Sequence, residues 1–445
     1  LTLLNTVFHG DCLDVLKTFP DNYFDSLITD PPSGINFMSK AWDKDKGGML
    51  NWINWLSEVI NEAMRTMKPG AIGLVWSIPR TSHWTGMALE LAGFRIIDIV
   101  HSAFGQGFPK GQDVSKQIDR LLGEEREIIG EKPAGWHKNN RLNDDGWQGD
   151  NPNKREVSIT APSSKLAKQW DGWKTPALKP AVEGWWLVQK KCSESSIVRN
   201  ILKHGTGGLN IEAGRIGTAN DMNSNDFDDT KRKSPKFSGL LNNGTVGEFR
   251  NRIGTVPNGR YPANLILSCG SECQENNHAK DCPVTVIGDQ SGECKTGDHN
   301  GHQVTNGNIY NFANGKSRGE PSYYKGNTGT AARYFKQLPF DVDTVNSIYY
   351  KAKASTNDRN CKGLVNNDHP TVKSRHLMAY FIKLITPPNG IVLDPFGGSG
   401  TTAVSAIETG FNYVLIEKSE EYLNIINQRI SATKSKIEQL ELTTN

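Results

Sequence analysis

The sequence predicts a doubly wound α/β sheet interrupted by a long, loop-rich insertion, and three observations predict it. Apolar strand-like runs alternate with helical periodicity over the first 104 residues. The same alternation returns from Ser374 onward. Near the end, residues 391–402 read IVLDPFGGSGTT, a strand that runs through Asp394 into a turn with three glycines and then a helical pattern. Strands alternating with helices build a parallel sheet covered on both faces. A Gly-rich turn between strand and helix lets backbone amides close on a ligand at the helix N-terminus. The next apolar run, NYVLIEK (412–418), closes on Glu417, where a carboxylate can accept from both hydroxyls of a ribose. No Lys follows the last Gly, so a phosphate-binding P-loop fits poorly. For the turn alone, an ordinary strand-to-helix loop is the plain alternative.

Taken in order, residues 5–11 (NTVFHGD) read as a short strand ending on Gly10-Asp11. Leu13, Leu16 and Phe19 then share one helical face, stopped by Pro20. A buried strand from Ser26 to Thr29 ends on Asp30-Pro31-Pro32-Ser33-Gly34. Two prolines forbid further ladder pairing and stiffen a loop at the strand's carboxyl end, the edge where ligands sit in open α/β sheets. Leu50, Ile53, Leu56, Ile60, Met64 and Met67 recur at helical spacing and predict a helix over 49–67, ended by Pro69-Gly70. A strand over 71–79, a helix over 81–92 and a strand over 94–104 complete the first run.

The pattern fails from residue 105. One short amphipathic helix is predicted before residue 123, and residues 131–181 are polar with little periodicity. VEGWWLVQK (182–190) reads as a strand returning to the sheet. Residues 191–370 are loop-rich and locally basic (Lys231, Arg232, Lys233, Lys236, Arg250, Arg252, Arg260), with a Gly- and Asn-dense part, 288–325, that predicts a mobile segment. Order returns with an amphipathic helix in HLMAYFIKLI, then the strand to Asp394, its helix, the strand to Glu417 and a last helix. No internal repeat is evident.

With 445 residues and 36% hydrophobic content, the chain suits a soluble globular enzyme. No run reaches the 18 or more apolar residues of a membrane span, and no signal pattern opens the sequence. Residence in a reducing cytoplasm is therefore expected. Seven cysteines in irregular spacing argue against a disulfide framework. A net charge of +3 permits nucleic-acid binding without demanding it.

DPFGGSGTT, preceded by HPTVKS (369–374) and far upstream by DPPSG (30–34), resembles the amino-methylating DNA methyltransferases, which use S-adenosylmethionine. The order, Pro-Pro loop first and Gly-rich loop last, resembles their circularly permuted beta group. FGQGFPK (104–110), PALKPAVEGWWLVQKK, RYPANLIL and YYKAKAS resemble phage and prophage members, so the likeness covers most of the chain. The resemblance implies a Rossmann-like methyltransferase sheet whose catalytic half is 1–110 and cofactor half 371–445. Between them lie an insertion (111–181), the returning strand (182–190) and a target-recognition region (191–370).

An exocyclic amine is a poor nucleophile because its lone pair is delocalised into the base. Asp30 and the Pro31 carbonyl, in the loop stiffened by Pro32, can accept its two hydrogens and favour a pyramidal nitrogen aimed at the methyl. By resemblance, Asp394, Pro395, Phe396, Gly397, Gly398, Ser399 and Gly400 meet the methionine end of the cofactor, and Asp30, Thr401, Thr402 and Lys418 also belong to its site. Glu417 lies at the ribose, Thr371 and Lys373 at the methionine carboxylate, and Asp11 and Cys12 at the adenine. The family usually carries an aromatic ring where this chain has Ser33, which cannot stack on an extruded base. A modified pocket is expected, with Phe37 and Trp42 as replacements or as plain packing.

Double-stranded DNA is the implied partner, reached by base flipping, with a cognate restriction nuclease as a candidate partner. By resemblance, Asp before Pro-Pro favours the exocyclic amine of adenine, with that of cytosine as an alternative. A cofactor-binding DNA-recognition protein without turnover and an RNA methyltransferase are the alternatives. Cys269, Cys273, His278 and Cys282 could ligate zinc, yet C-x3-C-x4-H-x3-C lacks the C-x2-C knuckle. Reduced, unliganded thiols and no metal are expected.

Overall fold

Leu27 and Ile28 point to opposite faces of one strand, and both are fully buried. That pattern requires a sheet covered on each side. The computed structural model describes residues 3–105, 111–133, 156–216, 260–269, 273, 277–295, 299–301, 322–324, 328–338, 365, 367 and 371–444. The first run gives β1 (Thr6–His9), α1 (Cys12–Leu16), β2 (Phe24–Thr29), α2 (Met49–Thr66), β3 (Met67–Ser77), α3 (Ser82–Leu91) and β4 (Arg95–Phe104). The excursion holds α4 (Val114–Leu122), the antiparallel pair β5 (Ile128–Pro133) and β6 (Glu156–Thr160), and α5 (Lys165–Gln169). Next come β7 (Val182–Gln189), α6 (Ile197–His204), α7 (Ile211–Gly214), β8 (Leu265–Ser268) and α8 (Pro283–Ser291). Short strands β9 (Cys294–Lys295), β10 (His299–Gly301), β11 (Ser322–Tyr324) and β12 (Thr328–Gly329) pair outside the main sheet, and β13 (Lys336–Leu338) joins it. The chain closes with α9 (Arg375–Ile385), β14 (Ile391–Asp394), α10 (Thr401–Thr409), β15 (Asn412–Glu417) and α11 (Glu420–Thr444).

The main sheet has nine strands in the order β1-β15-β14-β2-β3-β7-β4-β8-β13. All neighbours are parallel except those of β7, which runs against both β3 and β4. The reversal has a simple cause. β4 ends at the sheet's carboxyl edge, and β7 enters from that same edge, where Phe104 N donates to Ala181 O at 2.9 Å. A strand starting there can only run back. The returning strand is as expected, but the sheet is mixed rather than wholly parallel.

One core packs α9, α10 and α11 against one face, with Phe381, Ile382, Trp185 and Ile28 at its centre. The other core packs α1, α2 and α3 through Leu16, Trp52, Leu56 and Ile60. Leu50 is 63% exposed, and Trp52 and Val59 take the buried stripe of α2 instead. The helix ends one residue before the expected 67. α2 stops at Thr66, and β3 bulges over Pro69-Gly70 before Ile72 regains register with Ser26. The helix expected over Leu13–Phe19 has only one turn, although Phe19 is still buried. β8 and β13 extend the sheet from the segment read as loop-rich. Of the expected mobile stretch, Gly288 to Ser291 form the end of α8, while 302–321 lie outside the described residues. Lys231, Arg232, Lys233, Lys236, Arg250 and Arg252 also lie outside them.

Candidate functional site

The sheet joins the two ends of the chain. β2 and β14 are neighbours, with Ser26 opposite Val392 and Leu27 opposite Leu393. The turns that leave their carboxyl ends therefore emerge side by side. Thr29 Oγ1 donates to Asp394 Oδ1 at 2.8 Å, a buried bond between residues 365 positions apart. Thr402 Oγ1 donates to Asp394 Oδ2 at 2.6 Å, and Phe396 N to Oδ1 at 3.1 Å. Burial pushes Asp394 up to about 7 against these donors.

Beyond Asp394 the Gly-rich turn is fixed by several groups. Gly398 adopts φ +53°, and its N–H donates to Glu417 Oε2 at 2.7 Å. Glu417 Oε1 accepts from Ser419 N at 2.7 Å. Burial raises the Glu417 pKa, and its backbone donors oppose that rise. A Cβ on Gly397 would sit 3.1 Å from Ile416 O, so only glycine lets the turn lie this close to β15. Arg429, fully buried on α11, donates to Ser399 O at 2.6 Å, Ser399 Oγ at 3.1 Å and Thr401 Oγ1 at 3.1 Å. Its guanidinium braces the turn from beneath.

Asp30 leaves β2 opposite this turn, and its carboxylate is paired with the Lys373 ammonium. Lys373 is 5% exposed and lies over the Trp76 ring, 4.1 Å from its centroid. Burial pushes this ammonium below its usual range, while Asp30 and then Asp394 pull it back up. The resemblance placed Lys373 at a ligand carboxylate. Here it holds Asp30.

Ser33 is built into the Pro-Pro loop. Its Oγ donates to Asp43 Oδ1 at 3.0 Å, Gly34 N to Oδ1 at 2.9 Å and Phe37 N to Oδ2 at 2.8 Å. Asp43 is fully buried, and Thr81 Oγ1 ties the loop to α3 by donating to Ser33 O at 2.9 Å. One carboxylate thus gathers the donors of a whole turn.

At the far end, Asp11 caps α1 by accepting from Leu13 N at 3.1 Å, and it pairs with Lys418 at 3.1 Å. Burial works against the Asp11 carboxylate, but Lys418 and Leu13 N outweigh it and hold its pKa low. Burial pushes the Cys12 thiol up to about 12, so it is a neutral wall.

These groups surround one cavity of about 520 Å³, within the roughly 300–1,000 Å³ usual for small-molecule sites. Asp11, Cys12, Asp30, Pro31, Pro32, Ser33, Thr371, Lys373, Glu417 and Lys418 line it, as do Asp394–Ser399, Thr401 and Thr402. Gly400 does not. Its φ is +81°, and an added Cβ would stand 2.9 Å from Ile426 Cγ2, so this glycine lets α10 and α11 pack. Phe37 and Trp42 line the cavity with Trp55, Trp76 and Tyr422. Asp43 and Arg429 went unforeseen. The only sequence signal for Arg429 is a charge embedded among Ile425, Ile426 and Ile430, residues that all turn out buried. Away from the cavity, the side chains of Cys269, Cys273, His278 and Cys282 converge.

The chain is similar in sequence to known proteins. The sequence model of a DNA methylase family (N6_N4_Mtase) matches residues 24–428. YubD of Escherichia coli strain K12 is 42% identical over 74 residues, 17% of this chain and 33% of that one. The type II methyltransferase M.BamHI of Bacillus amyloliquefaciens is 32% identical over 82 residues, 18% of this chain and 19% of that one. The chain thus spans about a third and a fifth of these two relatives. Among solved structures, the cytosine-N4-specific PvuII DNA methyltransferase aligns over 95% of this chain and 85% of its own, with a TM-score of 0.41 and 12% identity.

Proposed function

The chain belongs to the DNA methylase family, and from that premise we propose that it transfers a methyl group from S-adenosylmethionine to the exocyclic amine of adenine in double-stranded DNA. One observation carries the reading. The carboxyl ends of β2 and β14, bonded through Thr29 and Asp394, bring the Asp30 loop and the Gly-rich turn to one cavity. The cofactor supplies, when bound, a methyl group activated on a positively charged sulfur. The cavity suits such a molecule: glycine backbone at positive φ forms a cradle at the start of α10, and acidic and aromatic side chains stand around it.

Asp394 to Ser399, with Thr401 and Thr402, would hold the methionine end, Glu417 the ribose, and Asp11 with Cys12 the adenine. Thr371 and Lys373 would take the methionine carboxylate. Lys373 would turn from Asp30 toward that carboxylate, which would leave an oxygen of Asp30 free to accept from the amine. Asp30 and the Pro31 carbonyl would then accept hydrogen bonds from the two amine N–H groups, which turns the nitrogen lone pair toward the methyl, and the nitrogen would lose one proton to solvent as it gains the methyl. Positioned acceptors of this kind are worth about 10²–10³-fold in rate. Ser33 contributes no stacking surface. It anchors the loop through Asp43, and Phe37 and Trp42 are the rings available to an extruded base, whose stacking contributes about 1–3 kcal/mol. The insertion between 111 and 370 is the proposed DNA-binding region, and a restriction nuclease is a candidate partner.

Methyl-labelled S-adenosylmethionine, duplex DNA and the purified chain, followed by nucleoside analysis, test this reading. Label in N6-methyladenine is expected. Label only in N4-methylcytosine overturns the base assignment. Cofactor and DNA binding without transfer favours a recognition protein lacking turnover, and label in RNA in preference to DNA changes the substrate class.

A further inference from the structure

We infer that Cys269, Cys273, His278 and Cys282 form a closed structural zinc site, independent of the methyl-transfer reading. The four ligand atoms, three Sγ and one ring nitrogen, all lie within 4.8 Å of one another. His278 Nδ1 is 3.4 Å from Cys269 Sγ and 3.8 Å from Cys282 Sγ. A tetrahedral ion with Zn–S of about 2.3 Å and Zn–N of about 2.0–2.1 Å needs ligand atoms separated by roughly 3.5–3.8 Å. The two imidazole-to-sulfur separations, 3.4 and 3.8 Å, bracket that spacing, and no pair of ligand atoms exceeds 4.8 Å.

The chain delivers the ligands from separate supports. Cys269 follows β8, and its N–H donates to Leu338 O of β13 at 3.1 Å. Cys282 is the N-cap of α8, fixed by Pro283 in the first helical turn. Cys273 and His278 come from the connection between them. Ala279 N donates to Cys273 Sγ at 3.3 Å, a bond that favours a thiolate there. Ordinary core packing accounts for a buried cysteine, which behaves as a small hydrophobe. It does not account for an imidazole nitrogen aimed at two sulfurs while a backbone N–H is aimed at the third.

The surroundings also call for a staple. Among the described residues, the apolar cluster here has Leu267, Val284 and Ala332 as buried partners of Cys273 and Cys282, and small cores of this kind are commonly held by a metal. All four tetrahedral positions are protein side chains, so the ion has no open position for a substrate. Binding Zn²⁺ displaces the remaining thiol protons to solvent and leaves three thiolates and a neutral imidazole around the ion. The site lies at the carboxyl edge of β8, four strands from β2, on the order of 19 Å across the sheet. The metal would fix the β8–α8 connection on the same edge that opens into the cavity.

The test uses the full chain, purified reduced and without chelators, with metals quantified by mass spectrometry. One zinc per chain is expected, released as three thiols are titrated with a mercurial. Cys282→Ser and Cys273→Ser should each lose at least tenfold in bound zinc, whereas Cys192→Ser keeps it. If the variants do not fold, cobalt added to the metal-stripped wild type should give the thiolate charge-transfer and ligand-field bands of a tetrahedral site. Zinc well below one per chain, equal zinc in wild type and variants, iron in its place, a mass loss of two hydrogens marking a disulfide, or absent cobalt bands overturns the assignment.

Discussion

Asp43 shows how one side chain can shape a catalytic loop. It accepts from the backbone of Gly34 and Phe37 and from the Ser33 hydroxyl while fully buried. Each hydrogen bond to a charged group is worth about 1.5–3 kcal/mol. Asp43→Ala should therefore lower unfolding free energy by at least about 2–3 kcal/mol in urea titrations. Methyl transfer should fall by about 100-fold, since misplacing a loop by an ångström is that costly. Asp394 gives a pH prediction. Its folded pKa of about 7 is above the unfolded value near 3.8, so its contribution to stability is complete below pH 3.8 and is lost as pH rises through 7. Between pH 5 and 8 the wild type should lose about 2–3 kcal/mol relative to Asp394→Asn. Parallel stability profiles for the two proteins would rule this out. Asp30 and Asp394 were legible in the sequence because each sits in a local motif at a strand end. Asp43 was not, because its donors come from a loop folding back over ten residues, and spacing does not encode that.

At the level of elements, the Gly-rich turn depends on the last helix. Arg429 reaches from α11 to the backbone and hydroxyls of Ser399 and Thr401. Arg429→Met keeps the bulk but leaves buried acceptors unmet, so it should cost about 1.5–3 kcal/mol by denaturation and weaken cofactor binding at least tenfold. Unchanged affinity for S-adenosylmethionine, by calorimetry, would separate the brace from the site. Helices and long strands were readable from periodicity because each buries one face or both. The helix over 49–67 was read to within one residue, whereas the bulge in which β3 absorbs Pro69-Gly70 was not, since only its partner strand reveals it. β8 and β13 are four and three residues long. Runs that short carry no period to detect, and their place in the sheet is set by tertiary pairing alone.

Across the whole molecule, the order of motifs along the chain and their order in space differ. The Pro-Pro strand comes near the start and the Gly-rich strand near the end, yet they are sheet neighbours. β1, from the very beginning, pairs with β15 and puts Asp11 beside Lys418. Motif order and resemblance gave this arrangement. The antiparallel β7 and the convergence of Cys269, Cys273, His278 and Cys282 needed coordinates, because both depend on where a long excursion re-enters. If the sheet holds both turns rigidly, loading the cofactor should protect β2 and β14 together. Hydrogen exchange of their amides is expected to slow in parallel when S-adenosylmethionine is added.

The most direct test asks whether a carboxylate from the chain's first strands acts on a methyl held by its last. Asp30→Ala is compared with wild type for S-adenosylmethionine affinity, thermal stability and methyl transfer to DNA in the same preparations. The account predicts a folded variant that binds the cofactor within about tenfold of wild type while transfer falls about 100-fold or more. Transfer at the wild-type rate from a variant lacking this carboxylate would contradict it.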